Sequence, residues 1–525
     1  MAREVDFVVI GAGLAGLTAA RLLPGTSCVI DPSPGAYKIG ESVAPEQFQH
    51  PALRSLLPEI QRLPSYTPKH GVTFMTADEA AHFPLSTDDE PGAMHVARHE
   101  LEGLLRRAWD IDVRTERVVR IVVDDGIVDT DGGRWRARQL IVDASGPAML
   151  VAHALGRVES LGTIAATWRY LSVAARDDAA MLAHAERTGL RLRRYDARRK
   201  QLLAAEGWDR WRPSHNTILR SFGDGRWAWQ IPIFGGDILS FGVVQRGDEA
   251  PDDAAYDAIV AEHTAPCFRL DPAASLPAPF DQRRRRRAFA RRARHAAGPK
   301  YALLGDAFAF ADPVYSVGTA IAVNQAVSLA DAIARDGWSE TTARAFDARG
   351  QALLRRCRRA FDFWYSGALL DTAEAATEVH DGFIYGHAFT ASITQTYGDA
   401  LENASLRTGE HRDPVQIPHD GPPLAADGLA GAAGWRLADA RPCTDGVKTT
   451  WAHEDGSTVE VYGLHDPEVR AKAYARADAI AWYYEGASRP AVVALMDALV
   501  ADVSGWTELL AVARASPSAH RRAET

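Results

Sequence analysis

Residues 5–31 read VDFVVIGAGLAGLTAARLLPGTSCVID. VDFVVI is an unbroken apolar run, the pattern of a strand covered on both faces. GAGLAG follows it at once, LTAARLL continues at helical spacing, and SCVID is a second short apolar strand. Strand, glycine turn, helix and strand in this order open a doubly wound α/β domain. Gly11, Gly13 and Gly16 form GxGxxG, and Asp31 stands 15 residues beyond Gly16 at the end of the second strand. The first glycine permits the tight turn, the second lets a pyrophosphate reach the backbone, and the third lets helix and strand pack closely. The helix N-terminus then faces the phosphates, and the acid takes a ribose hydroxyl. The constellation specifies a dinucleotide site without saying which dinucleotide.

Working outward, the 525-residue chain has room for two or three domains of roughly 150 residues. Residues 112–135 alternate short apolar runs with DDG and DGG turns, which reads as a β-meander. RQLIVDASG and KYALLGDA are further buried strands, and TAIAVNQAVSLADAIA is an amphipathic helix. Between them, TIAATWRYLSV, RWAWQIPIF and ILSFGVV are strand-like and flank a charged stretch, 187–205, expected to be helical. Residues 409–434, rich in Gly, Pro, Asp and Ala, read as a linker. WAHEDGSTVEVYG after it is a hairpin pattern, and Asp466-Pro467 marks a helix start. The expected fold class is α/β. A Rossmann-type three-layer domain covers 1–160 and returns over 281–345, with an inserted β-sheet substrate domain over 161–280. A C-terminal extension follows: a helical region over 346–408, the linker, and a small α/β domain over 435–515.

Composition narrows the class. A net charge of −9 and a pI near 6.0 argue against a nucleic-acid binder. Four cysteines without a CxxC pair argue against a disulfide scaffold and a zinc ribbon, so no metal is expected. No signal pattern opens the sequence and no apolar run approaches 18 residues, which points to a cytoplasmic protein without a membrane span. Only six of the 59 basic residues are lysine: Lys38, Lys69, Lys200, Lys300, Lys448 and Lys472. Where plain positive charge suffices, this chain uses arginine.

Several motifs then resemble one family in order. Arg98, followed by Leu101, Glu102 and Leu105, resembles the Arg-bearing element of FAD-dependent aromatic hydroxylases. Asp143-Ala144-Ser145-Gly146 resembles their strand-end motif, and Gly305-Asp306-Ala307 resembles the GDA motif whose Asp holds the ribityl chain. The resemblance covers about the first 340 residues and implies FAD as cofactor. Trp227, Trp229, Ile231 and Pro232 form WxWxIP, and Phe310 to Gly318 form FxDPxxSxG; both resemble flavin-dependent halogenases. Tryptophans at i and i+2 of a strand share a face, and the family places them as a wall beside the flavin. The resemblance gives Pro313 and Gly318 to the cofactor, and backbone amides near Ser316 to a halide ion; the same turn in plain hydroxylases binds the flavin ring alone. Gly40-Glu41-Ser42, with Pro45 after it, resembles the family's flavin-contacting strap.

Lys69, in Lys69-His70-Gly71-Val72-Thr73-Phe74, matches the KxGxxF segment that carries the catalytic lysine in halogenases of phenols and pyrroles. In that family, reduced FAD and O2 convert halide to hypohalous acid, and the lysine relays the halogen to an electron-rich ring. Lysine suits the role where arginine does not: an ammonium can give up its proton, whereas a guanidinium stays charged. The bland alternative is a surface lysine before a strand. Tyr315 stands where tryptophan halogenases place a glutamate, which resembles the phenol and pyrrole branch and supplies no carboxylate there to take a proton.

The resemblance implies an aromatic small-molecule substrate, free or tethered to a carrier, and a halide; since no second GxGxxG follows a strand, it points to a separate flavin reductase, although some flavin hydroxylases bind NADPH without such a site. A halogenase-like monooxygenase that hydroxylates a small aromatic or a protein side chain is the second enzyme reading, and a flavin-binding accessory protein is the non-enzymatic one. Five consecutive arginines at 283–287, with Arg291, Arg292 and Arg294, read as a solvated strand edge blocked by like charge; an acidic carrier docking there is the alternative. Of His50, His70 and His95, only His70 is singled out as a proton shuttle, because it adjoins Lys69.

Overall fold

The structure is a computed structural model that describes residues 2–43, 50–84, 93–196, 201–204, 212–247, 249–365, 435–443, 446–453 and 458–462. Two compact units divide the chain; the described residues of the first lie within 2–193 and 212–358. The apolar run at the start forms the strand Arg3–Ile10, whose last four residues are fully buried. It pairs in parallel with Ser27–Ile30 on one side and Gly133–Asp143 on the other. Tyr301–Leu303 and Val113–Arg114 extend the parallel core outward. The meander appears as Val118–Val122, Ile127–Thr130 and the long strand Gly133–Asp143. Helix Leu14–Leu22 leaves the glycine turn and packs against helix Gly318–Asp336. The hydrophobic core of Phe7, Val9, Leu140, Val142, Leu303 and Val323 lies around this sheet. Parallel strands reached by crossover helices place ligands at the carboxyl ends of the strands.

A second, mainly antiparallel sheet runs in the order Glu79–Pro84, Gly71–Met75, Thr217–Ser221, Arg226–Ile233, Ile238–Arg246, Ile164–Arg176. Only Gly71–Met75 and Thr217–Ser221 pair in parallel. A separate core forms on this sheet, where Leu239, Phe241 and Val243 meet Met181 of helix Asp178–Thr188 and Tyr256 of helix Asp253–His263. The charged stretch at 187–205 departs from the helical expectation. The helix is Asp178–Thr188, and Gly189, with φ of 75°, ends it in the left-handed region. Strands Arg191–Asp196 and Gln201–Ala204 follow instead.

A third, very small sheet matters most for function. Ala93–His95 is its middle strand, with Ser42–Val43 and Thr67–Lys69 antiparallel on either side. Ser42 lies opposite His95, and Lys69 lies opposite Ala93.

Helix Glu340–Tyr365 begins the helical region; the rest of that region, the linker at 409–434 and Asp466-Pro467 lie outside the described residues, as do Pro45 and Lys200. In the second unit, Trp435–Cys443, Gly446–His453 and Thr458–Tyr462 form an antiparallel three-stranded sheet. Among the described residues, no helix is long and apolar enough to cross a membrane.

Candidate active site

The glycine turn sits where the first strand gives way to its helix. A Cβ on Gly11 would lie 2.3 Å from the carbonyl oxygen of Ala144, and one on Gly16 would lie 1.9 Å from that of Gly11. Gly13 differs: its Cβ would meet only Glu102 Oε1 and Lys38 Nζ, each at 3.5 Å. Asp31 braces the turn, its carboxylate accepting from the amides of Ala12 and Ser33, each at 2.8 Å. Arg98 opens helix Arg98–Ala108 and donates to Glu102 at 2.8 Å, while Lys38 donates to the other Glu102 oxygen at 2.7 Å. Two cations therefore hold one buried carboxylate beside the open side of Gly13. Arg98 Nε is buried with no hydrogen-bond partner in the described structure.

The GDA motif forms a single 3-10 turn between strand Tyr301–Leu303 and the FxDPxxSxG segment. Asp306 is partly buried, and desolvation pushes its carboxyl up to about 6 against the opposing pull of Arg98 and Arg286. A Cβ on Gly318 would lie 4.0 Å from Asp306 Oδ1 and 3.9 Å from Phe310. Ser316 holds φ at 57°, a left-handed conformation that a non-glycine residue adopts at a cost of roughly 1–3 kcal/mol. Its own amide donates to the carbonyl of Pro313 at 3.0 Å. Thr319, in the first turn of the following helix, has a buried hydroxyl without a partner in the described structure.

Adjacent strap residues project to opposite sides, and each ends a buried polar chain. On one side Trp168 Nε1 donates to Tyr37 Oη at 2.8 Å, the hydroxyls of Tyr37 and Tyr170 lie 2.9 Å apart, and Tyr170 donates to Glu41. Burial holds the Glu41 carboxyl above its usual range and the Tyr170 phenol well above its own. The Arg284 guanidinium lies 4.0 Å from the Tyr37 ring centre. Trp229 packs beside Trp168 and Trp227, at 6.4 and 6.0 Å between ring centres. Trp227 and Trp229 are both buried, and the indole of Trp229 lies over Gly242, where a Cβ would come within 2.1 Å of it. The pair therefore backs Trp168 from within the second sheet.

On the other side Lys69, only 1 % exposed, donates to Ser42 Oγ at 2.8 Å. Ser42 Oγ lies 3.3 Å from Thr217 Oγ1, which lies 2.8 Å from His95 Nε2. A surface lysine is excluded by that burial. Phe74 of the lysine segment meets Tyr315 of the FxDPxxSxG segment edge to face, at 6.3 Å. His70, singled out in the sequence, instead packs on His215 at 5.4 Å between ring centres.

The arginine run forms strand Arg284–Arg287, paired with the outer edge of Ile164–Arg176. Arg283 and Arg285 pair with Asp253, Arg283 also with Asp257, and Arg292 and Arg294 share Glu159. The strand-edge reading accounts for these side chains without a docked partner.

The structure thus joins Glu41, Ser42 and Lys69 with Tyr37, Trp168, Tyr170 and Thr217, which sequence reading passed over, and with His95, which it weighed and set aside. None carries a local motif. They meet because strands far apart in sequence pair in space.

No family model matches this chain, and no curated protein matches it. Solved structures do resemble it. A flavoprotein/dehydrogenase from Cytophaga hutchinsonii superposes with a TM-score of 0.55 at 17% identity, over 78% of this chain and 100% of that one. The flavin-dependent brominase Bmp2 gives 0.54 at 17% identity over 77% and 100%. The halogenase PltM, in complex with phloroglucinol and FAD, gives 0.54 at 16% identity over 77% and 85%. The fold is therefore the α/β fold shared by these flavoproteins and flavin-dependent halogenases.

Proposed function

We propose that the chain is an FAD-dependent oxidoreductase that halogenates an electron-rich aromatic ring, with Lys69 relaying the halogen. The observation that carries this reading is the buried Lys69 amine hydrogen-bonded to the strap residue Ser42. Sealing a lysine away from water is costly unless its amine is used or fully paired, and the chain has almost no other lysines to spend.

The cofactor fits the residues present. The open side of Gly13 would admit the pyrophosphate, Arg98 with its orphaned Nε would face the phosphates, and Asp31 would face a ribose. Asp306 would hold the ribityl chain, with the strap and the 313–318 segment flanking the ring. FAD, when bound in reduced form, supplies the electrons with which O2 oxidises chloride or bromide to hypohalous acid. Lys69 would catch that acid in a water-poor setting and hold the halogen for a phenol, pyrrole or indole. Trp227 and Trp229 would stiffen the wall that Trp168 presents. A carrier-tethered substrate has less support than a free one, because the arginines that would dock a carrier pair internally.

The second reading is an aromatic monooxygenase of the same fold. It is favoured by the Ser316 amide, which is committed to Pro313 and so withheld from a halide. One experiment separates the two. Wild type and Lys69→Met are each given reduced FAD, O2, bromide and a panel of phenols and indoles. Brominated product from wild type alone, with equal FAD oxidation in both, is expected. Bromination surviving in the variant removes Lys69 from the mechanism, and oxygenated product regardless of bromide moves the assignment to the monooxygenase.

A further inference from the structure

Lys69, Ser42, Thr217 and His95 stand on four strands and form one line. All are at most 2 % exposed. Valence fixes the direction at the ammonium and leaves two through-going orders for the line as a whole. An ammonium only donates, so Ser42 accepts from Lys69. In one through-going order Ser42 gives its own proton to Thr217, and Thr217 gives its proton to His95, whose Nε2 presents a lone pair. The reverse order is equally self-consistent: Nε2–H donates to Thr217, Thr217 to Ser42, and Ser42 to a neutral Lys69 amine. A hydroxyl can also accept from both neighbours, but that order points its own proton out of the line and carries nothing along it. Passing from the first arrangement to the second takes one proton off the amine and places one on the imidazole, each hydroxyl handing on the proton it holds.

We propose that this line is the proton relay that empties and refills the Lys69 ammonium, with His95 as its terminal acceptor and Thr217 as its middle link. The proposal deepens the halogenase reading and rests on it for the use made of the amine. Protons and bonds balance. Lys69 passes a proton through Ser42 and Thr217 to His95. The neutral amine takes the halogen from hypohalous acid: an N–halogen bond forms, the halogen–oxygen bond breaks, and the hydroxide leaves as water with an amine proton. Transfer to the ring forms a carbon–halogen bond, breaks the N–halogen bond, and returns the ring proton to nitrogen. His95 then gives its proton back.

The surroundings suit a transient acceptor. Burial and the Lys69 charge, with a contribution from His215, hold the His95 imidazole well below its usual range. His215 is itself held at about 4 by burial, with His70, Arg176 and Arg212 lowering it and Asp178 opposing. The proton therefore does not rest on His95 while Lys69 is charged, and transfer removes that repulsion as it proceeds.

Thr217 supplies the test, because Thr217→Val keeps its shape and Thr217→Ser keeps its hydroxyl. A packing role makes the serine variant the worse of the two; a relay makes it the better. The first readout uses the FAD-free protein, with carbon-13 at lysine Cε and nitrogen-15 in histidine. Six lysines give a sparse spectrum, and Lys69→Met assigns the signal. In wild type and Thr217→Ser the Lys69 and His95 signals should move together with pH; in Thr217→Val they should move independently. The second readout is turnover with reduced FAD, O2, bromide and a phenol. Thr217→Val should brominate about 100-fold more slowly, with a smaller solvent deuterium isotope effect and normal FAD oxidation. Thr217→Ser should stay within about threefold of wild type. A Thr217→Val protein that brominates normally, or one whose two titrations remain joined, overturns the relay. If wild type makes no brominated product, the halogenase reading fails, and the titrations in the FAD-free protein still decide the relay.

Discussion

Gly13 and Gly16 occupy one turn for different reasons. Gly16 is required by the protein itself, since a methyl there would press to 1.9 Å on the Gly11 carbonyl oxygen. Gly13 has extended backbone, φ −82° and ψ −174°, which alanine adopts freely. Its Cβ would meet side-chain atoms only at 3.5 Å, an ordinary contact. Packing therefore explains Gly16 but not Gly13, and the proposed approach of a phosphate would explain Gly13. Gly13→Ala should leave the melting temperature of the FAD-free protein nearly unchanged. It should weaken FAD by about tenfold or more, roughly 1.4 kcal/mol, measured by fluorescence titration. Gly16→Ala should lose roughly 3 kcal/mol or more of stability, or fail to fold, by the same thermal melt. Equal stability losses in the two variants would contradict this division. The GxGxxG spacing was legible because its constraints lie within one turn of chain. The role of His95 was not: its neighbours in sequence say nothing of Thr217, which stands 122 residues away in the chain.

At the scale of elements, the turn Gly305–Ala307 carries a carboxyl whose burial works against the fold. Asp306 reaches about 6 in the folded chain, against about 4 for an unfolded aspartate. Between those values the folded chain holds a proton that the unfolded chain has lost. Stability from this group is therefore lost as pH rises from about 4 to about 6. Asp306→Asn removes that dependence. The variant's FAD-free melting temperature should rise relative to wild type across this range, by about 2–4 °C for each kcal/mol involved, while its FAD binding weakens. A constant difference between the two melting curves at all pH values would refute the assignment. The short elements also show where sequence reading stops. Strands of two and three residues, Ser42–Val43, Thr67–Lys69 and Ala93–His95, are too brief for any periodicity to register. Yet their pairing sets Ser42 against His95 and brings Lys69 to both. The helix expected over 187–205 failed because Gly189 closes Asp178–Thr188 in the left-handed region and the residues after it form a strand.

At the scale of the whole molecule, the two sheets differ in what they offer a dinucleotide. The parallel sheet of the first unit offers one strand–glycine turn–helix junction at its carboxyl edge, the one that holds Gly13. The second sheet is built largely from antiparallel neighbours, and among its described residues no GxGxxG turn leads from a strand into a helix; Gly247 stands alone between Ile238–Arg246 and helix Asp253–His263. Stacked amides for a second pyrophosphate are therefore absent from that sheet's described residues. Such amides, with a helix dipole behind them, are the main attraction a dinucleotide phosphate finds. Hydride transfer needs the nicotinamide within contact distance of the flavin ring, and the described residues of these two sheets offer no second GxGxxG junction to hold it there. The FAD-loaded protein mixed anaerobically with NADPH or NADH should keep its oxidised flavin absorbance over many turnover times. Adding reduced FAD, or a flavin reductase with its own nicotinamide site, should start product formation at once. Direct bleaching of the flavin by NADPH, at a rate matching turnover, would mean that a nicotinamide binds by another route and that no separate reductase is needed.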